Sequence, residues 1–379
     1  MRNLIQNIAD YFRETDKLLL LFCTIASVFG AVLIYSATNM YGFEQAGVQL
    51  GAMTFGLIVA ITISTFDYSN LLKLWPLYIV AAVVLLLVTY KFGITPTGAD
   101  NKAWIKIFGI SLQVSELIKI FMILTFAKHV SMIKPEEIND VKNVVLLTLH
   151  GLAAPALVMI LQKDLGTVTV MAIIFVSMMY MAGVKLRYFA IGFGAVALVA
   201  PFAWMYVLSE YQKKRFTVIF DLEADAQGYG YQQLQSIRAI GSGGVFGQGY
   251  MQGVKTQSNG VPEAHNDFIL TVAGEELGLI GCLAVFAISA AIIIRVIYIS
   301  TVSKDRAGKI ICAGAFGMLA AQLIINTGMV MALLPVIGVT LPFFSAGGSS
   351  LVCLFISVGL VTSVYKNRFM RTMYLRDRG

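Results

Sequence analysis

The chain has 379 residues, 58% of them hydrophobic and only 13% charged, about half the charged share of an ordinary soluble domain. That balance excludes a soluble enzyme, a disordered or collagen-like chain and a coiled coil. Uninterrupted apolar runs such as 80–88 exclude a membrane barrel, whose strands alternate. The net charge is +7, and in a membrane protein the placement of the Lys and Arg residues says more than their sum.

In chain order, the N-terminal stretch is polar, with Asp10, Glu14 and Asp16, and leads into a run long enough to span a bilayer. The first apolar segment is therefore expected to stay in the mature protein. A spanning helix needs about 20 apolar residues. Such segments fall at 18–37, 46–66, 74–92, 112–132, 143–161, 165–183, 188–208, 267–299, 308–330 and 347–365. The expected fold is all-α: one polytopic membrane domain over 1–379 with ten transmembrane helices. With the N-terminus inside, most of the 28 Lys and Arg fall in cytoplasmic segments, among them Lys185, Arg187, Lys304, Arg306, Arg368 and Arg371. Both termini are thus expected in the cytoplasm.

Two outward connections stand apart. Residues 93–111 carry Trp104, Ile105, Ile107 and Phe108 among Lys102 and Lys106, which predicts a short interfacial amphipathic segment. Residues 209–266 form a connection far longer than the usual handful. It contains Phe216, Phe220, Tyr229, Tyr231 and Phe246 and has no low-complexity run, so it is expected to be a large extracellular loop packed on the membrane domain.

Ionisable groups inside apolar spans are costly and mark candidate sites. Glu116 and Lys119 lie three apart on one helical face, where they can neutralise each other or face a substrate cavity. Asp164 opens the sixth span and can cap it or act. Asp267 sits where the long loop enters the membrane. A helix from that point places Glu276 on the face opposite Asp267, so these two do not form a catalytic pair. Residues 241–249 hold five glycines, a pattern of turn chemistry or of a phosphate-binding nest, without the Lys-Ser/Thr of a P-loop. The three histidines lack metal-ligand spacing. The four cysteines sit in apolar runs with no C-x-x-C.

These residues together resemble the SEDS family of bacterial cell-wall proteins, the RodA and FtsW group, and RodA most. The resemblance rests on Tyr35-Ser36-Ala37, Trp104-Ile105, Ser115-Glu116 with Lys119, Asp164-Leu165-Gly166-Thr167 and Gly230-Tyr231-Gln232 with Gln235-Ser236. It continues through Pro262-Glu263 to Asp267-Phe268, Gly274-Glu275-Glu276-Leu277-Gly278 and Leu341-Pro342-Phe343 with Gly347-Gly348-Ser349-Ser350. Val114, Lys163, Asn266 and Ala346 depart from the family pattern, Lys163 standing where proline is usual.

The resemblance implies a peptidoglycan glycosyltransferase that polymerises lipid II at the outer face of the cytoplasmic membrane by single displacement with inversion. A flippase for the same lipid and a non-catalytic scaffold are the competing readings. Asp267 is the implied general base. Lys119, Arg215, Arg238 and the glycine stretch around Gly243 and Gly244 are candidates to neutralise the diphosphate leaving group. Glu116, Asp164, Gln232, Ser236 and His265 are expected in or beside the cavity. A divalent cation, Mg2+ or Mn2+, held by Asp267, Glu116 or Asp164, fits the chemistry, whereas a nucleotide, flavin or haem is not expected. The implied partner is a class B penicillin-binding protein; no nucleic acid is expected.

Overall fold

The computed structural model describes residues 15–38, 42–95, 102–107 and 110–369. In chain order the helices are α1 (Lys17–Ala37), α2 (Glu44–Thr65), the short α3 (Tyr68–Lys73) and α4 (Trp75–Phe92). A hairpin of β1 (Trp104–Ile107) and β2 (Ile110–Gln113) leads into α5 (Val114–Ser131), α6 (Val141–Gln162), α7 (Leu165–Met181) and α8 (Leu186–Tyr206). The long connection contains α9 (Glu210–Thr217), α10 (Tyr231–Gly243) and α11 (Val254–Gln257). The chain then forms α12 (Ile269–Glu276), α13 (Gly278–Val302), α14 (Arg306–Val330) and α15 (Gly348–Lys366).

Eight of these helices, α1, α2, α4, α6, α8, α13, α14 and α15, are long and apolar enough to cross a membrane. Of the other two expected spans, α7 is apolar but has 17 residues, and α5 has 18 but carries Glu116, Lys119 and Lys128. Helix starts follow their caps: Asp16 accepts from the Leu19 N–H (2.8 Å), Asp305 from the Gly308 N–H (2.8 Å), and Ser209 forms a capping box with Gln212.

Helices α14 and α15 form the buried centre. In membranes, close helix approach depends on small residues, and at Gly359 of α15 a Cβ would stand 2.8 Å from the backbone of Ala60 in α2. By contrast, none of the residues of α8 is buried.

Two expectations change in detail. The 93–111 connection, expected as a short interfacial amphipathic segment, leads through its described part into an antiparallel hairpin pairing Trp104 with Gln113 and Ile107 with Ile110. Its β-branched residues alternate with Lys106 and Ser111, which suits a pleated ribbon. The 267–299 span is not one helix; it breaks at Leu277 and Gly278, where Gly278 takes φ +69°.

Candidate active site

At one end of the bundle a cavity of about 580 Å3 is enclosed by α2, the hairpin, the α6–α7 junction, α9, α10 and the turns before α12 and α15. Its polar lining includes Gln49, Gln113, Lys163, Asp164, Arg215, Gln232, Glu263 and Asp267. A second, smaller cavity of about 350 Å3 shares Arg215, Gln232 and Val336 with it.

Asp267 is placed by a tight turn. The Glu263 carbonyl accepts from the N–H groups of Asn266 (3.0 Å) and Phe268 (3.3 Å), and the Asn266 side chain donates to the Glu263 carboxylate (2.6 Å). Phe268 is fully buried, and the Asn326 amide of α14 donates to the carbonyls of Asp267 (2.7 Å) and Val339 (2.8 Å). The backbone is thereby fixed on both sides while the carboxylate faces the cavity. No protein donor reaches that carboxylate among the described residues. Burial pushes its pKa up to about 6, Glu263 and Asp164 push the same way, and Arg215 opposes them. The side chain lies ahead of α12, outside the spanning helices, and is a half-buried carboxylate.

Asp164 lines the same cavity but is committed. One of its oxygens accepts from the Thr167 N–H (3.0 Å). The other accepts from the Thr167 hydroxyl (2.8 Å), Gln113 (3.2 Å) and Ser115 (3.4 Å). It is the N-cap of α7, tying that helix to the start of α5.

Arg215 supplies a half-buried cation. Its guanidinium donates to the Val336 carbonyl (2.7 Å), bonds the Tyr211 hydroxyl and lies over the Tyr211 ring, 4.3 Å from its centroid. Gln232 lines both cavities.

Other expected site residues lie elsewhere. Lys119 and Glu116 form a buried pair at 2.7 Å that does not line the cavity and is linked to its wall through the Ser350 hydroxyl (3.4 Å to Glu116). Ser236 spends its hydroxyl on the Val330 carbonyl (2.9 Å) and Thr271 (2.7 Å). Arg238 is exposed on α10 and lines neither cavity. His265 is half-buried beside the cavity, held through its carbonyl to the Ala346 N–H (2.9 Å); burial lowers its pKa, against Glu263.

The glycine stretch lines neither cavity and packs against the break between α12 and α13. A Cβ at Gly243 would stand 2.0 Å from the Gly274 carbonyl, so the glycine lets α10 lie against α12. At the α12–α13 break the carbonyls of Glu275 and Glu276 accept from Gln248 (2.9 Å) and Gly249 (3.0 Å). In return the N–H groups of Leu279 and Ile280 donate to Gly244 (2.9 Å) and Val245 (3.3 Å). The stretch thus satisfies the backbone groups that the break frees. Glu275 accepts from the Lys255 (2.7 Å) and Thr256 (2.8 Å) amides, and Glu276 from Ser36, Gln257 and Met251. Both carboxylates anchor the loop to the bundle.

Glu263, Gln49, Gln113 and Tyr211 line the cavity without having been singled out for it, and Lys163 stood out only as a departure. Lys163 takes φ +56°, a conformation closed to proline, which explains why proline is absent there. Among the described residues no three His, Cys, Asp or Glu side chains converge to hold a metal. Asp164 and Glu116 are occupied by hydrogen bonds and by Lys119. The described residues do not form a cage for a divalent cation.

A peptidoglycan glycosyltransferase MrdB of Escherichia coli is 30% identical over 358 residues, covering 94% of each chain. A stage V sporulation protein E of Bacillus subtilis is 32% identical, covering 92% of this chain and 96% of its own. Among solved structures, a chain from a study of polymerization and crosslinking by a peptidoglycan synthase complex superposes with TM-score 0.81. It is 26% identical and covers 94% of this chain and 99% of its own. The rod shape determining protein RodA of Thermus thermophilus, at 24% identity, covers 94% and 98% with TM-score 0.70 and shares the fold. The family model for cell cycle proteins of the FtsW, RodA and SpoVE group matches residues 16–369, and the chain belongs to that family.

Proposed function

We propose that this protein is a peptidoglycan glycosyltransferase that polymerises lipid II at the outer face of the cytoplasmic membrane. One observation carries the reading: an aspartate whose carboxylate has no protein donor among the described residues faces a cavity at the end of a membrane bundle, with a half-buried arginine on the same wall. In the reaction an acceptor sugar hydroxyl gives its proton to Asp267 as its oxygen bonds the donor's anomeric carbon. The bond from that carbon to the diphosphate breaks, and the lipid diphosphate leaves with the electron pair. A general base contributes about 10² to 10⁴ in rate. Arg215, which lines both cavities, is placed to offset charge on the departing oxygen. A displacement with no protein nucleophile inverts the anomeric centre.

The outward placement of the cavity is supported by charge: the opposite end of the bundle carries Lys134, Lys185, Arg187, Lys304 and Arg306. The complex that contains the similar solved chain supports a crosslinking partner, a class B penicillin-binding protein. The test is polymer formation from lipid II by purified protein in detergent, where no second compartment exists. Polymer from wild type and none from Asp267→Asn is expected. Wild-type protein that binds lipid II without extending it would leave the flippase reading in its place.

A further inference from the structure

The larger cavity houses the transfer step. The smaller one, of about 350 Å3, adjoins it across Arg215 and Gln232, and none of its lining residues belongs to a spanning helix. A polyprenyl tail stays in the bilayer, out of water, so the occupant of the smaller cavity is a water-soluble portion of the substrate. Two kinds of group line it. Tyr229, Tyr231 and Pro262 supply flat apolar faces, and Gln227 and Gln232 supply neutral amides. That combination suits a pyranose, which has an apolar C–H face and a polar rim of hydroxyl and acetamido groups. A stem peptide or a diphosphate carries several charges, for which one arginine already bonded to the Val336 carbonyl is a poor match. The volume lies at the small end of ligand sites, about 300–1,000 Å3.

The wall is preformed. The Asp225 carboxylate accepts from the Tyr229 N–H (2.9 Å), and the Asp225 carbonyl accepts from the N–H groups of Gly228 (3.1 Å) and Gly230 (3.2 Å). A Cβ at Gly228 would run into that carboxylate, so the turn needs glycine there. The Tyr229 ring stands edge-on to that of Tyr211, 5.6 Å between centroids, and the Lys214 ammonium lies 5.7 Å from its centroid. The polar edges, in contrast, are unspent: no described residue hydrogen-bonds the side chains of Gln227, Tyr231 or Gln232. The next glutamines of α10 are committed. Gln233 donates to the carbonyls of Met329 (3.0 Å) and Leu334 (2.8 Å), and Gln235 accepts from Lys255 (2.7 Å).

We propose that the smaller cavity is a saccharide subsite that holds one N-acetylated sugar of the glycan strand, its ring against Tyr229 and Tyr231 and its hydroxyl and acetamido groups bonded to Gln227 and Gln232. This rests on the polymerase reading and adds a hold on the strand beside the transfer cavity. A strand seated there stays at high local concentration between transfers, so the subsite lengthens the product without supplying a step of the reaction.

The test is saturation-transfer NMR on the purified full-length protein in detergent. The probes are a peptide-free tetrasaccharide of alternating N-acetylglucosamine and N-acetylmuramic acid, and maltotetraose, which lacks acetamido groups. Wild type should bind the first about tenfold more tightly or better, with the strongest transfer to ring C–H and acetamido methyl protons. Tyr231→Leu should weaken that binding about tenfold. Gln227→Leu alters an exposed side chain with no hydrogen bond to lose, so it should fold as wild type does and still weaken binding several-fold. At equal consumption of lipid II, both variants should give strands about threefold shorter or more on a gel. No tetrasaccharide binding by wild type, equal binding of maltotetraose, or unchanged binding in Gln227→Leu and Tyr231→Leu would each overturn the proposal. A wild type that polymerises lipid II yet gives any of these results would overturn the subsite alone. A wild type that makes no polymer would remove the polymerase reading, and the strand subsite with it.

Discussion

Asp267 and Asp164 both precede an apolar helix and both face the cavity, yet their surroundings separate them. Four donor contacts hold the Asp164 carboxylate, and none among the described residues reaches that of Asp267. With its pKa raised to about 6, Asp267 is protonated and inactive as a base below that pH. Polymerisation rate should therefore fall about tenfold per pH unit on the acid side of pH 6, and a limb nearer 4 would contradict the assignment. The sign for stability is the reverse of the usual carboxylate. Ionisation is disfavoured in the folded state, so the cost is absent below the unfolded value of 3.8 and complete above about 6. Asp267→Asn should thus lose about 10² or more in rate while melting at neutral pH no lower than wild type.

The Glu116–Lys119 pair calls for a different test, because its members are buried against each other. Lys119→Met strands a buried carboxylate and should cost about 3–5 kcal/mol. The Glu116→Gln, Lys119→Met double variant should recover most of that loss in thermal unfolding. If the double variant also polymerises lipid II at a rate near wild type, the pair is structural. Sequence reading picked out Asp267 and Arg215 through charge in an apolar chain and through the family resemblance. It left Asp164 open between a cap and a site residue, because the donors that commit it come from Gln113 and Ser115, about fifty positions away in the chain.

At the scale of elements, apolar run length gave the helices well and their interruptions poorly. The run 267–299 has the length of one span, but Glu275, Glu276 and Gly278 interrupt its hydrophobicity where the helix breaks. A second signal is the neighbouring glycine stretch, whose purpose is visible only once Gln248 and Gly249 are seen capping the broken end. The two adjacent glycines of that stretch should respond differently to substitution. Gly243→Ala drives a Cβ to 2.0 Å from a backbone carbonyl that cannot yield without separating α10 from α12. Gly244 has φ +55° with open space around a Cβ, so Gly244→Ala should cost only the strain of that backbone conformation, about 1–3 kcal/mol. Thermal unfolding in detergent should place Gly243→Ala clearly below Gly244→Ala; equal losses would show that the helix contact tolerates widening. The hairpin at 104–113 was missed for a related reason: four-residue strands are too short for alternation to be told from an amphipathic turn.

At the scale of the whole molecule, the cavity draws on segments from Gln45 to Ser350, so no local window of sequence contains it. Charge placement, in contrast, is a global property legible from sequence, and it fixes the expected orientation. Helices α5 to α8 alternate between the cavity end and the end where Arg306 donates to the carbonyls of Ile133 (3.0 Å) and Ala182 (2.6 Å). Glu210 at the cavity end and Lys134 at the other have side chains 80% and 75% exposed, and each takes part only in a surface ion pair of small energetic weight. Glu210→Cys and Lys134→Cys should therefore fold normally. The native thiols interfere little, since Cys23, Cys312 and Cys353 are buried and Cys282 lies within α13. A membrane-impermeant maleimide should label Glu210→Cys in intact cells and Lys134→Cys only after the membrane is opened. The opposite pattern would put the cavity in the cytoplasm, where a glycosyl transfer using Asp267 could not build a wall outside the cell.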